Sequence, residues 1–313
     1  MALGSDARPT VGFVGLGLMG GPMAANLLAA GWPVKGWNRS AAAYEPFTAA
    51  GGEPVETVAD LAGAETIVFM LPDLPMIEEA AAPLLEAWAA APLAARTRVV
   101  VMSSVSPVDV KKFGADVSAS SGGRAVVVDA PVSGGRIGAI EAKLAIMVGA
   151  EADDFAALSP LFGAMGRSVV HLGALGAGSL AKACNQLIVG ATAAALAEAA
   201  VLAEAEGLDV AELFGVLSGG LAGSRVMDQL APRMIALDYA PTGPAKFMLK
   251  DLGFVDAAAS ASHAALPLAR AALALYGDLV DEGLGDLDLA AVHELARRRS
   301  GLTSTSPQKE SLS

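Results

Sequence analysis

From Thr10 to His171 short apolar, β-branched runs alternate with alanine-rich stretches of helical length. The pattern predicts strands at Thr10–Val14, Val34–Trp37, Thr66–Leu71, Val99–Met102, Val126–Asp129, Leu144–Val148 and Ser168–His171. Strands separated by helical segments call for crossover connections, hence a largely parallel sheet. After His171 the strand runs stop, and Ala/Leu-rich helical patterns follow one another to Arg299. Turns break them at Gly207-Leu208-Asp209, where Asp209 is placed to cap the next helix, and at Pro241 to Pro244. The expected organisation is an α/β domain over 10–171 and an all-helical domain over 172–299. Residues 1–9 and 300–313, polar and without periodicity, read as flexible tails.

Composition narrows the class. A chain of 313 residues with 54% hydrophobic content can fill two cores. A net charge of −12, with no basic run longer than Arg297-Arg298-Arg299, repels a phosphate backbone and argues against nucleic acid as a partner. Mean hydropathy is +0.51, but alanine supplies most of it. The strongest uninterrupted apolar stretch, Leu187 to Ala197, is too short to span a bilayer, so a buried helix is expected and no membrane. The single cysteine, Cys184, precludes an intrachain disulfide and sets a reducing cytoplasm as the expected compartment. Cys184 itself is expected to be a small core residue.

The first strand runs into Gly15-Leu16-Gly17-Leu18-Met19-Gly20 and then a helical stretch, a GxGxxG in its required setting of strand, turn and helix. Gly15 permits the turn, Gly17 allows close approach of a pyrophosphate, and Gly20 allows helix to pack on strand. Helix N-terminal N–H groups then hold phosphate charge. A dinucleotide is therefore expected here, with Leu18 and Met19 also at the cofactor. The second strand ends in Asn38-Arg39-Ser40, where a carboxylate would grip the ribose 2′-hydroxyl of NAD(H). A guanidinium there suits a 2′-phosphate instead, so NADP(H) is expected to be preferred, with NAD(H) possible.

Lys182 is the only formally charged residue between Arg167 and Glu198, and in a helix Asn185 and Gln186 share its face. Asp129-Ala-Pro-Val-Ser133-Gly134-Gly135 ends a strand on the side where open parallel sheets bind ligands. Its hydroxyl and glycine N–H groups suit a carboxylate. Ser103, Ser104 and Ser106 either meet a nicotinamide ribose or cap the helix expected from Pro107. Phe247 and Lys250 share a helix face, and Lys250 by itself reads as an exposed, salt-linked lysine. His171, His263 and His293 show no metal-ligand spacing and read as structural, so no metal is expected.

In order, Gly12-Phe-Val-Gly15-Leu-Gly17-Leu-Met-Gly20, Asp129-Ala-Pro-Val-Ser133-Gly-Gly135, Gly176-Ala-Gly178 to Lys182 and Asn185, and Lys250-Asp251-Leu resemble the motifs of the β-hydroxyacid dehydrogenase family. The resemblance runs from about Thr10 to Arg299. It implies an N-terminal Rossmann domain and a C-terminal all-helical domain joined by a long helix, and a homodimer or homotetramer. It also implies hydride transfer between a nicotinamide cofactor and a small, carboxylate-bearing hydroxy acid or semialdehyde. By position, Lys182 matches the family's catalytic lysine; Ser133, Gly134, Gly135 and Asn185 match substrate-binding residues. Lys250 matches a lysine that closes over cofactor and substrate, with Phe247 beside it, while Leu71, Pro72 and Ser104 match cofactor-lining positions. Val101, Ser104 and Lys143 depart from common family residues, which weakens any specific substrate assignment. An imine reductase and a non-catalytic NADP-binding sensor are the rival readings, and both typically lack the lysine.

Overall fold

A computed structural model describes residues 8–91 and 93–302. The expected flexible tails therefore fall largely outside the described residues. By internal contacts the chain divides into two compact units, Met1–Ala183 and Cys184–Ser313.

Among the described residues the first unit holds one nine-stranded sheet. Its strands are β1 (Val11–Val14), β2 (Val34–Trp37), β3 (Glu53–Pro54), β4 (Thr66–Phe69), β5 (Thr97–Val101), β6 (Ala125–Asp129), β7 (Val132–Ser133), β8 (Leu144–Gly149) and β9 (Gly166–Gly173). All seven expected strands are present. The sequence pattern missed β3 and β7, two residues each and too short to show an alternation. The helices are α1 (Gly20–Ala29), α2 (Tyr44–Ala49), α3 (Leu74–Ala90), α4 (Asp109–Ser120), α5 (Gly135–Ile140), α6 (Ala152–Gly163) and the start of α7 (Ala177–Ala205).

The order β3-β2-β1-β4-β5-β6 is parallel throughout; β8 meets β6 and β7 antiparallel, and β9 pairs with β8 in parallel. Alternate residues of the central strands feed two separate apolar clusters, as a period of two requires. Phe13, Val68, Val100 and Val128 join Met23 and Leu27 of α1 in one, and Ile67, Phe69, Val99 and Val101 join Ile77, Leu84 and Trp88 of α3 in the other. Helices thus cover both faces, and the chain reverses direction across the sheet between β1 and β4. That reversal opens a crevice at the carboxyl ends of these strands.

The helix expected from Pro107 begins at Asp109, with the Ser106 hydroxyl accepting N–H bonds from Val108 at 3.3 Å and Asp109 at 3.2 Å. A cap of this kind contributes about 1 kcal/mol. Helix α7 is 29 residues long and, by length and composition, sufficient to cross a membrane, more than the Leu187–Ala197 run suggested. The core helix of a soluble protein has the same properties.

The second unit is helical: the rest of α7, then α8 (Val210–Ser218), α9 (Arg225–Ile235), α10 (Lys246–Ser262), α11 (Pro267–Asp281) and α12 (Ala291–Arg299). Asp209 caps α8 as expected, accepting from the Glu212 N–H at 2.9 Å. Tyr276, fully buried on α11, donates its hydroxyl to the Gly190 carbonyl of α7 at 3.1 Å. At the far end of α7, Glu204 accepts from Arg297 Nε at 2.8 Å and meets His293 Nε2 at 3.0 Å, while His293 Nδ1 meets the Tyr239 hydroxyl at 3.1 Å.

His293 is wholly buried, and burial holds its imidazole below the ordinary value of 6.5 even though Glu204 and Glu294 favour the charged form. A folded value below the unfolded one means that the unfolded chain takes up the proton first as pH falls. The stabilisation is therefore complete above the unfolded value and drains away as pH falls through the folded one. Chemical denaturation at pH 7.5 and 5.5 is expected to show a larger loss for the parent than for His293→Gln. Equal pH slopes in the two proteins would refute this account.

Candidate active site

At the β1/β4 reversal lies a cavity of 520 Å³, lined by the loops after β1, β2, β3 and β4 and by one side of α3. Its floor is the glycine loop. Gly15 has φ +100°, and a Cβ at Gly20 would overlap the Gly15 carbonyl oxygen, so the turn and the close entry of α1 both require glycine. A Cβ at Gly17 would meet no protein atom within 4 Å, although Gly17 lines the cavity. Open space over an exposed backbone is what a pyrophosphate needs. Helix α1 begins without a side-chain cap and with no acidic residue in its first turn, which leaves N–H groups and the positive end of its dipole for an anion. Leu18 is 69% exposed at the loop's tip, Met19 is the residue before the helix, and Gly20 opens it.

Asn38, Arg39 and Ser40 all line the cavity, but in different capacities. The Asn38 amide is committed to the protein: Oδ1 accepts the Leu16 N–H at 2.9 Å and Nδ2 donates to the Ser40 carbonyl at 2.9 Å. Tyr44, which the sequence reading missed, closes the same loop by accepting from the Asn38 N–H and donating to its carbonyl, both at 2.9 Å. Asn38 is therefore a fastener of the glycine loop. Arg39 and Ser40 are exposed, and Arg39 has no ion-pair partner among the described residues. Glu56 and Glu79 also line the cavity and were not anticipated, because carboxylates on exposed helical and loop positions carry no sequence signal. Leu71 and Pro72 form part of the wall, and Ser103 holds it by accepting the Leu71 N–H at 3.0 Å. Ser104, half-buried at the end of β5, is not among the lining residues.

At the end of β6 the chain turns through Ser133, in β7 opposite Ala145, to Gly134 and Gly135 at φ +132° and +60°. Both glycines are exposed. The carboxylate of Asp129, 0% exposed, accepts the Gly176 N–H at 2.7 Å and the Ser179 N–H at 2.5 Å, at the start of α7. Burial raises its carboxyl above the ordinary carboxylate range, and these N–H bonds only partly offset that. Lys182 follows in the second turn of α7, half-buried, and shares a face with Gly178, at which a Cβ would overlap the Met147 carbonyl and crowd that of Asp129. Lys143, a departure from the family pattern, is paired with Glu141 at 2.8 Å.

In the second unit Asn185 Nδ2 donates to Gln186 Oε1 at 2.9 Å, and Gln186 Nε2 donates to Asp251 Oδ2 at 2.7 Å. Gln186 and Asp251, given no role from the sequence, thus form a chain of side chains ending beside Lys250. The Lys250 ammonium lies 3.6 Å from Asp251 Oδ1, 5.7 Å from the Phe247 ring centre and 5.5 Å from that of Phe254. With a side chain only 26% exposed, it is not the solvated lysine of the plain sequence reading; two aromatic faces replace water around the cation. Cys184 corrects another expectation. It is exposed on α7, because the helix turns its Ala183 face inward and Cys184 lies 100° round. Among the described residues no three His, Cys, Asp or Glu side chains gather as metal ligands.

Comparison with known proteins agrees with this architecture. The family described as the NAD binding domain of 6-phosphogluconate dehydrogenase matches residues 10–173, and that described as the NAD-binding domain of NADP-dependent 3-hydroxyisobutyrate dehydrogenase matches residues 176–296. The NAD-dependent L-serine dehydrogenase of Pseudomonas aeruginosa is 34% identical over 293 residues, covering 91% of this chain and 97% of its own. The 2-hydroxy-3-oxopropionate reductase of Escherichia coli is 35% identical over 283 residues, covering 90% and 95%. The structure of Mycobacterium tuberculosis 3-hydroxyisobutyrate dehydrogenase with L-serine superposes with a TM-score of 0.82 at 31% identity, covering 93% of this chain and 99% of that one. The glycine loop in its Rossmann setting, the helical second unit and these full-length likenesses together place the chain in the β-hydroxyacid dehydrogenase family, as an NAD(P)-dependent oxidoreductase acting on hydroxy acids.

Proposed function

We propose that the protein transfers a hydride between NADP(H), preferred over NAD(H), and a small hydroxy acid/semialdehyde pair of the 3-hydroxyisobutyrate, glycerate/tartronate semialdehyde or glyoxylate/succinic semialdehyde class. The observation that carries the reading is the placing of Lys182, one helical turn beyond Gly178, whose backbone is pressed against the carbonyl of Asp129 at the head of the Ser133-Gly134-Gly135 loop. When bound, the nicotinamide gives or takes the hydride. Lys182 Nζ then gives a proton to the growing alkoxide in reduction and takes it back in oxidation, a contribution of about 10²–10⁴ in rate. The Ser133 hydroxyl and the N–H groups of Gly134 and Gly135 receive the substrate carboxylate. Asn185, three residues on in the same helix, orients the hydroxyl beside the lysine. Lys250, 3.6 Å from Asp251, and Phe247 are assigned to the cofactor, and Lys250 to the substrate as well.

The cofactor preference is supported by Arg39, exposed on the cavity wall and without an ion-pair partner among the described residues, and by the lack of a carboxylate at the end of β2. The E. coli and P. aeruginosa relatives, by contrast, show that the family spans more than one substrate and that an NAD-dependent member is close. A homodimer or homotetramer is supported by large apolar side chains left exposed on the second unit, among them Ile188 at 65%, Val216 at 73% and Leu221 at 108%. A soluble, cytoplasmic protein without nucleic-acid partners is supported by the net charge of −12 and the single cysteine, and by the protein groups bonded to α7 through Gly190 and Glu204.

Lys182→Ala is expected to lower kcat by about 10²–10⁴ while the Kd for NADPH stays within about twofold; turnover within threefold of the parent would reject the lysine as acid and base. Arg39→Ala is expected to weaken NADPH about tenfold and leave NADH almost unchanged, the scale of one exposed charge-assisted contact. Parallel titrations with the two cofactors check this, and equal losses for both would remove the 2′-phosphate assignment. Sedimentation at micromolar concentration should show dimers or tetramers, and a monomer would contradict the assembly.

A further inference from the structure

We propose that Asp129 is the positioning residue of Lys182, fixing through two hydrogen bonds both the axial position and the rotation of the helix that carries the lysine. The inference rests on the proposed role of Lys182 and adds a residue that touches neither substrate nor cofactor. An ordinary helix cap satisfies one N–H from an exposed side chain. Asp129 instead spends both oxygens on one turn, Oδ1 on Gly176 and Oδ2 on Ser179, from a position with no solvent exposure. Two bonds from one planar group to N–H groups three residues apart determine how the turn is rotated as well as where it begins.

Two glycines complete the socket. A Cβ at Gly149 would overlap Asp129 Oδ1, and one at Gly178 would overlap the Met147 carbonyl oxygen, so the first turn of α7 lies directly on the backbone ends of β6 and β8. The three atoms nearest a Gly178 Cβ all belong to the backbone, which cannot swing aside as a side chain would. Lys182 is four residues beyond Gly178 and so on the same face, one pitch further on. Its Nζ extends roughly 8 Å from the helix axis, so a rotation of roughly 10° displaces it by more than about 1 Å. A misplacement of that size can cost about 10²-fold in rate. Asp129 also heads the strand end that leads into Ser133, Gly134 and Gly135. The same backbone therefore sets the loop and, through the carboxylate, the lysine.

The test uses the full chain with Asp129→Asn, Gly178→Ala, Lys182→Ala and a control, Asp209→Ala, which loses an exposed cap on α8. Asp129→Asn removes one acceptor and brings a donor against N–H groups. Gly178→Ala displaces the turn by steric overlap with the backbone of β6 and β8 and leaves the carboxylate in place. Hydrogen exchange over 174–183 is expected to quicken at least tenfold in both, with 11–37 unchanged and the NADPH Kd within twofold. With 3-hydroxyisobutyrate and NADP⁺, kcat should fall about 10²-fold, and its solvent deuterium isotope effect should rise, as a misaligned proton acceptor requires and a merely unstable enzyme does not. Asp209→Ala should keep kcat. Unchanged exchange over 174–183 in Asp129→Asn overturns the proposal, as does kcat within threefold of the parent when Lys182→Ala is inactive. If Lys182→Ala keeps its activity, the lysine reading itself falls and the positioning role with it. That failure is recognisable because exchange in Asp129→Asn would still be faster.

Discussion

A carboxylate taken wholly out of water loses several kcal/mol of hydration unless donors replace it. At the end of β6 the replacement is the N-terminal turn of α7, whose N–H groups would otherwise be orphaned and which carries the positive end of the helix dipole. Each side of the contact satisfies what the other leaves open. The sheet thereby gains a fixed join to the helix that carries Lys182, at the strand end from which the Ser133 loop departs. Strand end, loop and lysine follow from one buried interaction.

The cofactor cavity is built by the same economy of backbone. Gly15 and Gly20 let α1 enter close beneath the end of β1, and Asn38 spends its amide on holding that loop to the end of β2. Tyr44 closes the loop from behind. What remains facing the cavity is the Arg39 guanidinium, the open backbone at Gly17 and the uncapped start of α1, all favourable to phosphate. Glu56 and Glu79 stand on the same walls.

In the second unit polar side chains work in chains. Asn185, Gln186 and Asp251 link α7 to α10 and end at Lys250, and Glu204, Arg297, His293 and Tyr239 tie the far end of α7 to α12. Such networks hold a geometry only while every member is satisfied. The first ends at a lysine whose ammonium lies 5.7 and 5.5 Å from two aromatic ring centres, and in the second burial holds a histidine below its ordinary value.

Periodicity along the chain was enough for seven strands, their largely parallel order and the change to helices after His171, because alternate burial on a two-faced sheet is written into local sequence. The glycine loop, the missing carboxylate after β2, the Asp209 cap and the isolation of Lys182 were legible for the same reason: each depends on neighbours within a few residues. Strands β3 and β7 were too short to leave a period. Cys184 came out exposed and Lys250 half-buried, since which side of a helix faces the core is decided by what packs on it. Asn38 became a fastener, and Asp129, Tyr44 and Ser103 became supports, through partners 47, 6 and 32 residues away. The sequence by itself determined the chemistry available, because residue types and local spacing set it. Only the tertiary structure decided which of those groups are spent on holding the protein together and which are left for a ligand, because hydrogen-bond capacity is finite and its use depends on contacts made across the fold.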